Sequence, residues 1–289
     1  MREILVGLAP HAIAARIFPE PAALGDALAR LILAGIEQAT RAGRPYLLGC
    51  PGGRSAQTTY RALGGLAAAG RSDLSRLVIV MMDEYVFRAA RGFIDCPVDA
   101  HYSCHRFAYE EIEAVLNRGL APSHRLLREN VWFPDPSQPG AYDDKIRAAG
   151  GVDLFIIASG ASDGHVAFNP PGHPAGTATR VIQLAESTRT DNMVTFPDFT
   201  EIAEVPSYGV SVGLGTIASL SRAVVLVAHG PDKQNAVRRL AVCDGFNPRW
   251  PASIIFGCAG AQIMLDESAA SGLAGTAGGG RGAARETKG

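Results

Sequence analysis

Cysteine is scarce in this sequence: Cys50, Cys96, Cys104, Cys243 and Cys258 are the 5 among 289 residues. The number is odd and no C-x-x-C pair exists, so a disulfide framework is not expected and a reducing compartment fits better. No run approaches the roughly 20 apolar residues that a membrane helix needs. A leader is also missing from the reading, because the apolar stretch near the start is short and broken by Pro10 and His11. The expected location is the cytoplasm. Neither sign of charge is in excess, with Lys+Arg 27, Asp+Glu 28 and a formal net charge of −1. That balance argues against a nucleic-acid coat or an acidic-membrane partner, which need basic surface. It leaves room for a few cations around one anionic ligand. The stretch GVSVGLGT (209–216) matches G-x-G-x-x-G poorly. His101, Cys104 and His105 lack a second ligand group at usable spacing, so they are not read as a metal site.

What the sequence has in quantity is apolar residues, 47% of the chain. Leu24, Leu28, Leu31, Ile32 and Ile36 share one face of a helix over 21–38. Short apolar runs without alternation follow at 45–50, 76–82, 130–133, 152–158, 209–213, 223–229 and 261–266. Such runs are strands buried on both faces of a parallel sheet, and helical stretches such as 54–69 and 231–242 separate several of them. The pattern predicts an α/β fold, a doubly wound, mostly parallel sheet flanked by helices in a modified Rossmann-like arrangement. Residues 86–105 read as a loop or lid, and 163–207 as an excursion over the site. One domain is expected over 1–267. Residues 268–289, rich in Gly and Ala with little to bury, are expected to be a disordered tail.

Polar clusters fall just after the expected strands, where open α/β sheets bind ligands. The first is GCPGGRSAQTTYRAL (49–63). Gly52 and Gly53 permit a tight turn, a helix starts near Ser55, and Arg54 offers charge-assisted bonds. Together they form an anion cradle, although an ordinary strand-to-helix turn looks the same. The second is MMDEYVF (81–87), where Asp83 and Glu84 follow a buried strand as site residues or as a helix cap; taken alone, the cap is favoured. The third is SGASDGHVAFNPPG (159–172), where Asp163 stands next but one to His165. A carboxylate there fixes an imidazole's tautomer and raises its basicity, while the plain alternative is a turn whose Asp bonds its own backbone. Arg189 and Lys233, as isolated cations, would ordinarily be solvated surface residues.

In this order, the clusters resemble the glucosamine-6-phosphate deaminase family. That family belongs to a larger group with the 6-phosphogluconolactonases, within the fold shared by ribose-5-phosphate isomerase and CoA transferases. The quoted stretches carry the likeness, with VSVGLGTI, AVVLVAHGPDKQNAV and QIMLDE, over about residues 20–267. The resemblance implies that Asp83 moves a proton between C2 and C1 of an open-chain sugar. It implies that His165 assists ring opening beside Asp163, and that Gly52, Gly53, Arg54, Ser55, Arg189 and Lys233 hold the phosphate. The implied reaction is glucosamine 6-phosphate to fructose 6-phosphate plus ammonia. No cofactor and no metal are required, and the partner is a small phosphorylated sugar, with homo-oligomerisation left open. Pro170 departs from the deaminase pattern, which has a glutamate there to polarise the histidine; Asp163, Glu84 and His173 are the candidates to replace it. The departure keeps open a related phosphosugar isomerase, a 6-phosphogluconolactonase-type hydrolase and a non-catalytic sugar-phosphate sensor. A sensor would leave the proton-transfer residues surplus, and no helix-turn-helix is found at the N-terminus.

Overall fold

The short apolar runs lie side by side in the computed structural model, which describes residues 2–273. In chain order the strands are β1 (Arg2–Val6), β2 (Ile13–Phe18), β3 (Tyr46–Cys50), β4 (Leu77–Met81), β5 (Asp83–Arg88), β6 (Phe93–Asp95), β7 (Val131–Trp132), β8 (Leu154–Ala158), β9 (Arg180–Gln183), β10 (Tyr208–Ser211), β11 (Val224–Ala228) and β12 (Gln262–Asp266). The helices are α1 (Pro21–Arg41), α2 (Gln57–Gly70), α3 (Cys104–Phe107), α4 (Ala114–Leu116), α5 (Gly140–Ala148), α6 (Glu186–Thr195), α7 (Leu214–Leu220), α8 (Gln234–Ala241) and α9 (Glu267–Ala270). A π-turn over Ala108–Glu113 joins α3 to α4.

The large sheet has the order β1-β2-β12-β11-β8-β3-β4-β7. Its pairings are parallel except for the β1–β2 hairpin. Successive side chains of a strand point to opposite faces, and both faces are covered. Leu77, Ile79 and Met81 of β4 enter the core beneath α1, α2 and the 104–116 helical segment. Val78 and Val80 enter the opposite core, beneath α5, α7 and α8. This double burial is why the runs are apolar throughout rather than alternating. In α1, Pro21 stands where no N–H is needed. Leu24, Leu28, Ile32 and Ile36 are buried as expected. Leu31 is 37% exposed, because it lies at the edge of the apolar stripe.

Three expectations change. The 209–213 run belongs to a second sheet, β6-β5-β10-β9, in which β10 is antiparallel to both β5 and β9. A four-residue buried run carries no mark of strand direction. That sheet also takes in parts of the 86–105 and 163–207 stretches. Those stretches read as loops because β6 is a largely exposed edge and β9 is short. The tail is ordered at its beginning: Asp266 Oδ1 accepts a hydrogen bond from Ala269 N at 2.8 Å and starts α9. Ala269, Ala270 and Gly272 are buried, and a Cβ on Gly272 would lie 2.3 Å from Gln234 O. Small residues are used there for close backbone approach, which composition alone reads as lack of a core. The remainder of the expected tail, 274–289, lies outside the described residues. Among the described residues, no helix is long and apolar enough to cross a membrane.

Candidate active site

Parallel strands present their carboxyl ends along one rim, and a cavity of about 430 Å³ opens there. Four strand exits supply it: Pro51–Ser55 after β3, Met82 and Asp83 after β4, Ser159, Gly160, Ala161 and His165 after β8, and His229, Gly230, Asp232 and Lys233 after β11, with Asp163 behind His165 rather than on the cavity wall. Helix α6 contributes Asp191, Asn192, Val194 and Thr195. Of the residues expected to be functional, Gly52, Gly53, Arg54, Ser55, Asp83, His165 and Lys233 line this one space.

Two cations, Arg54 and Lys233, line the cavity. Gly53 has φ +79°, a conformation that only glycine adopts freely, and it turns the chain into the short helical turn at Arg54 that leads to α2. Lys233 comes from the far side, its side chain 16% exposed, with Nζ donating to Ser159 O at 3.0 Å. Burial holds its pKa below the usual lysine value, Asp232 and Asp191 work against that, and Arg54 adds to it. His229 Nε2–H donates to Ser55 O at 3.1 Å and ties the two loops together.

Carboxylates and an imidazole line it as well. Asp83 is 6% exposed. Burial pushes its pKa up to about 7; the Cys104 thiol, 3.4 Å from Oδ1, opposes the rise, the charge of Glu84 adds to it and His165 offsets it. The next carboxylate goes the opposite way. Glu84 is fully buried, yet it accepts from Tyr85 N at 2.7 Å, Ser103 Oγ at 3.0 Å, Cys104 N at 3.0 Å, His105 N at 2.9 Å and His105 Nδ1 at 2.7 Å. Burial works against its charge, but the His105 side chain and these amides outweigh that and lower its pKa. Glu84 thus serves the start of a helix that begins 20 residues further along. Adjacent carboxylates with opposed shifts separate an acid–base group from a structural anion.

Asp163 sits beside His165, and the turn makes them touch. Asp163 Oδ1 accepts from His165 N at 3.0 Å and from Nδ1 at 2.7 Å, while Oδ2 accepts from Ser187 Oγ at 2.5 Å. Burial opposes the charge, but the bonds from His165 and Ser187 prevail and hold Asp163 well below the usual carboxylate range. An ionised Asp163 accepts the proton of Nδ1, so the basic nitrogen is Nε2. The turn is rigid. Ala167 has φ +51°, Asn169 Nδ2 donates to Val166 O at 3.0 Å and Val212 O at 2.7 Å, and a Cβ on Gly164 would lie 2.4 Å from the Trp250 ring. Of the three candidates to replace the glutamate absent at Pro170, Asp163 is the one on the ring nitrogen. Glu84 is committed to the 103–105 segment, and His173 Nδ1 faces Pro170 O at 3.3 Å. Asp191 Oδ2 stands 4.0 Å from His165 Nδ1. Asp163, His165 and Asp191 bring ligand-capable atoms within 4.8 Å of one another, the one such group among the described residues that could hold a cation.

Arg189 requires a correction. It does not line the cavity; its Nε donates to Val205 O at 3.2 Å and its Nη2 to Val205 O at 2.9 Å and to Ile202 O. At about 100° per residue, positions two apart on α6 point to nearly opposite sides, so the helix that turns Asp191 inward turns Arg189 outward. The cysteine at 104, the acid at 191 and the histidine at 229 were not singled out from sequence as site residues. His229 lies within a quoted stretch just after β11, where the strand-end rule flags it, whereas Asp191 lies inside α6 and carries no such signal.

Comparison with known proteins bears on the family and the fold. The family model for glucosamine-6-phosphate isomerases/6-phosphogluconolactonase matches residues 19–264. The glucosamine-6-phosphate deaminase of Pseudarthrobacter chlorophenolicus is 34% identical over 258 residues, 85% of this chain and 88% of that one. The deaminase of Mycolicibacterium smegmatis is 32% identical over 263 residues, 89% and 91% of the two chains. Among solved structures, a monomeric glucosamine-6-phosphate deaminase superposes with a TM-score of 0.74 at 24% identity, covering 89% of this chain and 98% of that one. The 6-phosphogluconolactonase of Trypanosoma brucei gives 0.61 at 21% identity, covering 90% and 98%. These two likenesses speak to the fold, a mostly parallel sheet between helical layers. A family match over nearly all of the described chain, with relatives above 30% identity along most of its length, places the chain in the glucosamine-6-phosphate isomerase/6-phosphogluconolactonase family.

Proposed function

We propose that the chain is a sugar-phosphate aldose–ketose isomerase that deaminates its substrate, converting glucosamine 6-phosphate and water to fructose 6-phosphate and ammonia. The observation that carries this reading is Asp83, a buried carboxylate poised at about pKa 7 in the same cavity as the His165–Asp163 pair and the cationic turn. The names of the curated relatives support the substrate.

In this reading the phosphate binds the amides and side chains of Gly52–Ser55, with Lys233 and Arg54 as counter-charges. His165 Nε2 exchanges a proton with the sugar hydroxyl as the ring opens to the free aldehyde. Asp83 then removes the proton from C2. The electron pair moves toward C1, the aldehyde oxygen gains the charge and a proton, and an enol-amine results. Asp83 returns a proton to C1, and the imine left at C2 adds water and releases ammonia. Phosphate binding, remote from C1 and C2, fixes them against Asp83 and contributes through orientation. A base near neutral pKa suits abstraction of a carbon-bound proton at neutral pH. Free cysteines fit an enzyme of the cytoplasm.

Incubation with glucosamine 6-phosphate should yield ammonia and fructose 6-phosphate in equal amounts. Ring-opened acid from 6-phosphogluconolactone, with no ketose from the amino sugar, would replace this reading with lactone hydrolysis. Calorimetric binding of the amino-sugar phosphate without any product would replace it with a sensor. Lys233→Ala should raise KM roughly 10- to 100-fold, as expected for losing one charge-assisted bond of about 1.5–3 kcal/mol. Arg189→Gln should act mainly on stability, because Arg189 bonds the 202–205 turn; a larger KM effect from Arg189 than from Lys233 would contradict this assignment.

A further inference from the structure

Asp83 is the central base of the proposed reaction, and its environment holds one contact that the reaction scheme does not use. Among the described residues, the only hydrogen bond to its carboxylate comes from Cys104 Sγ, 3.4 Å from Oδ1. The thiol is buried and lines the cavity next to Ser103. Its placement follows from the backbone. Cys104 is the first residue of α3, and the amides of Cys104 and His105 are fixed at 3.0 and 2.9 Å on Glu84, the residue after Asp83. Ser103 Oγ and His105 Nδ1 reach the same carboxylate, and the His105 ring stacks on Phe133 with centroids 3.6 Å apart. The dipeptide Asp83-Glu84 therefore holds the helix start with one side chain and receives its thiol with the other. Burial and the charges of Glu84 and Asp83 keep that thiol protonated, so it can only donate.

We propose that Cys104 is a positioning residue: its thiol occupies Oδ1 of Asp83, fixes the plane of the carboxylate and leaves Oδ2 as the oxygen that takes and returns the carbon-bound proton. This rests on the reading of Asp83 as the base. A donor on Oδ1 favours the ionised form, so the contact also lowers the pH at which the base becomes available, against the larger effect of burial. The other ionisable groups that act on Asp83 are Glu84 on its own strand and His165 on the β8 turn, while Tyr60 of α2, Tyr85 of β5 and Tyr142 of α5 feel its charge. None of these bonds the Asp83 carboxylate, whereas Cys104 does.

The test compares full-length wild type, Cys104→Ser and Cys104→Ala. Alanine should move the acid limb of kcat/KM upward by about half a pH unit, the effect of removing one weak bond to a carboxylate, and lower kcat with KM little changed. Serine, which keeps a donor, should hold the limb at or below its wild-type position. Ionisations of the substrate are common to all three and cancel in the difference. A turnover-independent readout separates this inference from the assigned reaction. The infrared S–H stretching band that is absent from Cys104→Ala should shift as wild type is titrated through neutral pH, and should stay fixed in Asp83→Asn. An immobile band, or an acid limb that coincides in all three proteins, overturns the positioning role. A moving band in a protein without deaminase activity overturns the reaction but keeps the contact.

Discussion

Asp83→Asn should bind the phosphosugar and turn it over about a thousandfold more slowly, within the hundredfold to ten-thousandfold that a positioned base contributes. Asparagine keeps the shape and still offers an oxygen to the Cys104 thiol, so the loss is chemical. Wild-type kcat/KM should fall as pH drops below about 7, where Asp83 becomes protonated. The stability effect has the opposite sign. Asp83 has a pKa raised to about 7 in the folded state from an ordinary 3.8, so the folded chain holds that proton more tightly than the unfolded one. The stability it contributes is full below the unfolded pKa and is lost as pH rises through the folded one. Asparagine lacks this dependence. The variant should therefore gain on wild type between about pH 4 and pH 8, by on the order of 2–4 kcal/mol. Denaturant titrations at the two pH values check this, and a gain that shrinks with rising pH would contradict the buried charge. The inactive protein would then be the more stable one, as expected where an active site keeps an unfavourably buried acid.

Glu84→Ala should cost about 3–5 kcal/mol, the range found when one side of a buried charged network is removed. It would leave the Ser103 hydroxyl, the amides of Tyr85, Cys104 and His105, and the His105 ring without their acceptor. Since Glu84 has a lowered pKa in the folded state, its stabilisation is present above the unfolded carboxylate pKa and lost as pH falls through the folded one. Two adjacent residues thus give pH dependences of opposite slope. Chemical denaturation of Glu84→Ala and Glu84→Gln provides the check. A loss under about 1 kcal/mol in both would show that the helix start does not depend on this carboxylate.

The parallel sheet was legible because burial on both faces requires apolar residues at every position, and β3, β4 and β11 are buried at all five. Strand ends then located Asp83, His165, Lys233 and the Gly52–Ser55 turn, since the architecture itself brings those ends together. Arg189 failed for a local reason, the rotation of two residues along α6. Cys104 and the true role of Glu84 were hidden because their meaning depends on a contact across 20 residues. The β6-β5-β10-β9 sheet was hidden because its edge strands β6 and β9 are short and β6 is largely exposed. Pro170 raised the question of what holds His165, and the answer, Asp163, was already in the motif.

The most direct measurement uses glucosamine 6-phosphate deuterated at C2. A buried carboxylate that carries the proton from C2 to C1 should slow turnover with a primary isotope effect and deliver part of the label to C1 of the fructose 6-phosphate. Both signals should vanish with activity in Asp83→Asn. Ketose formed by that variant at the wild-type rate, or a wild-type product with no label at C1 and no isotope effect, would contradict the assignment of Asp83 as the base.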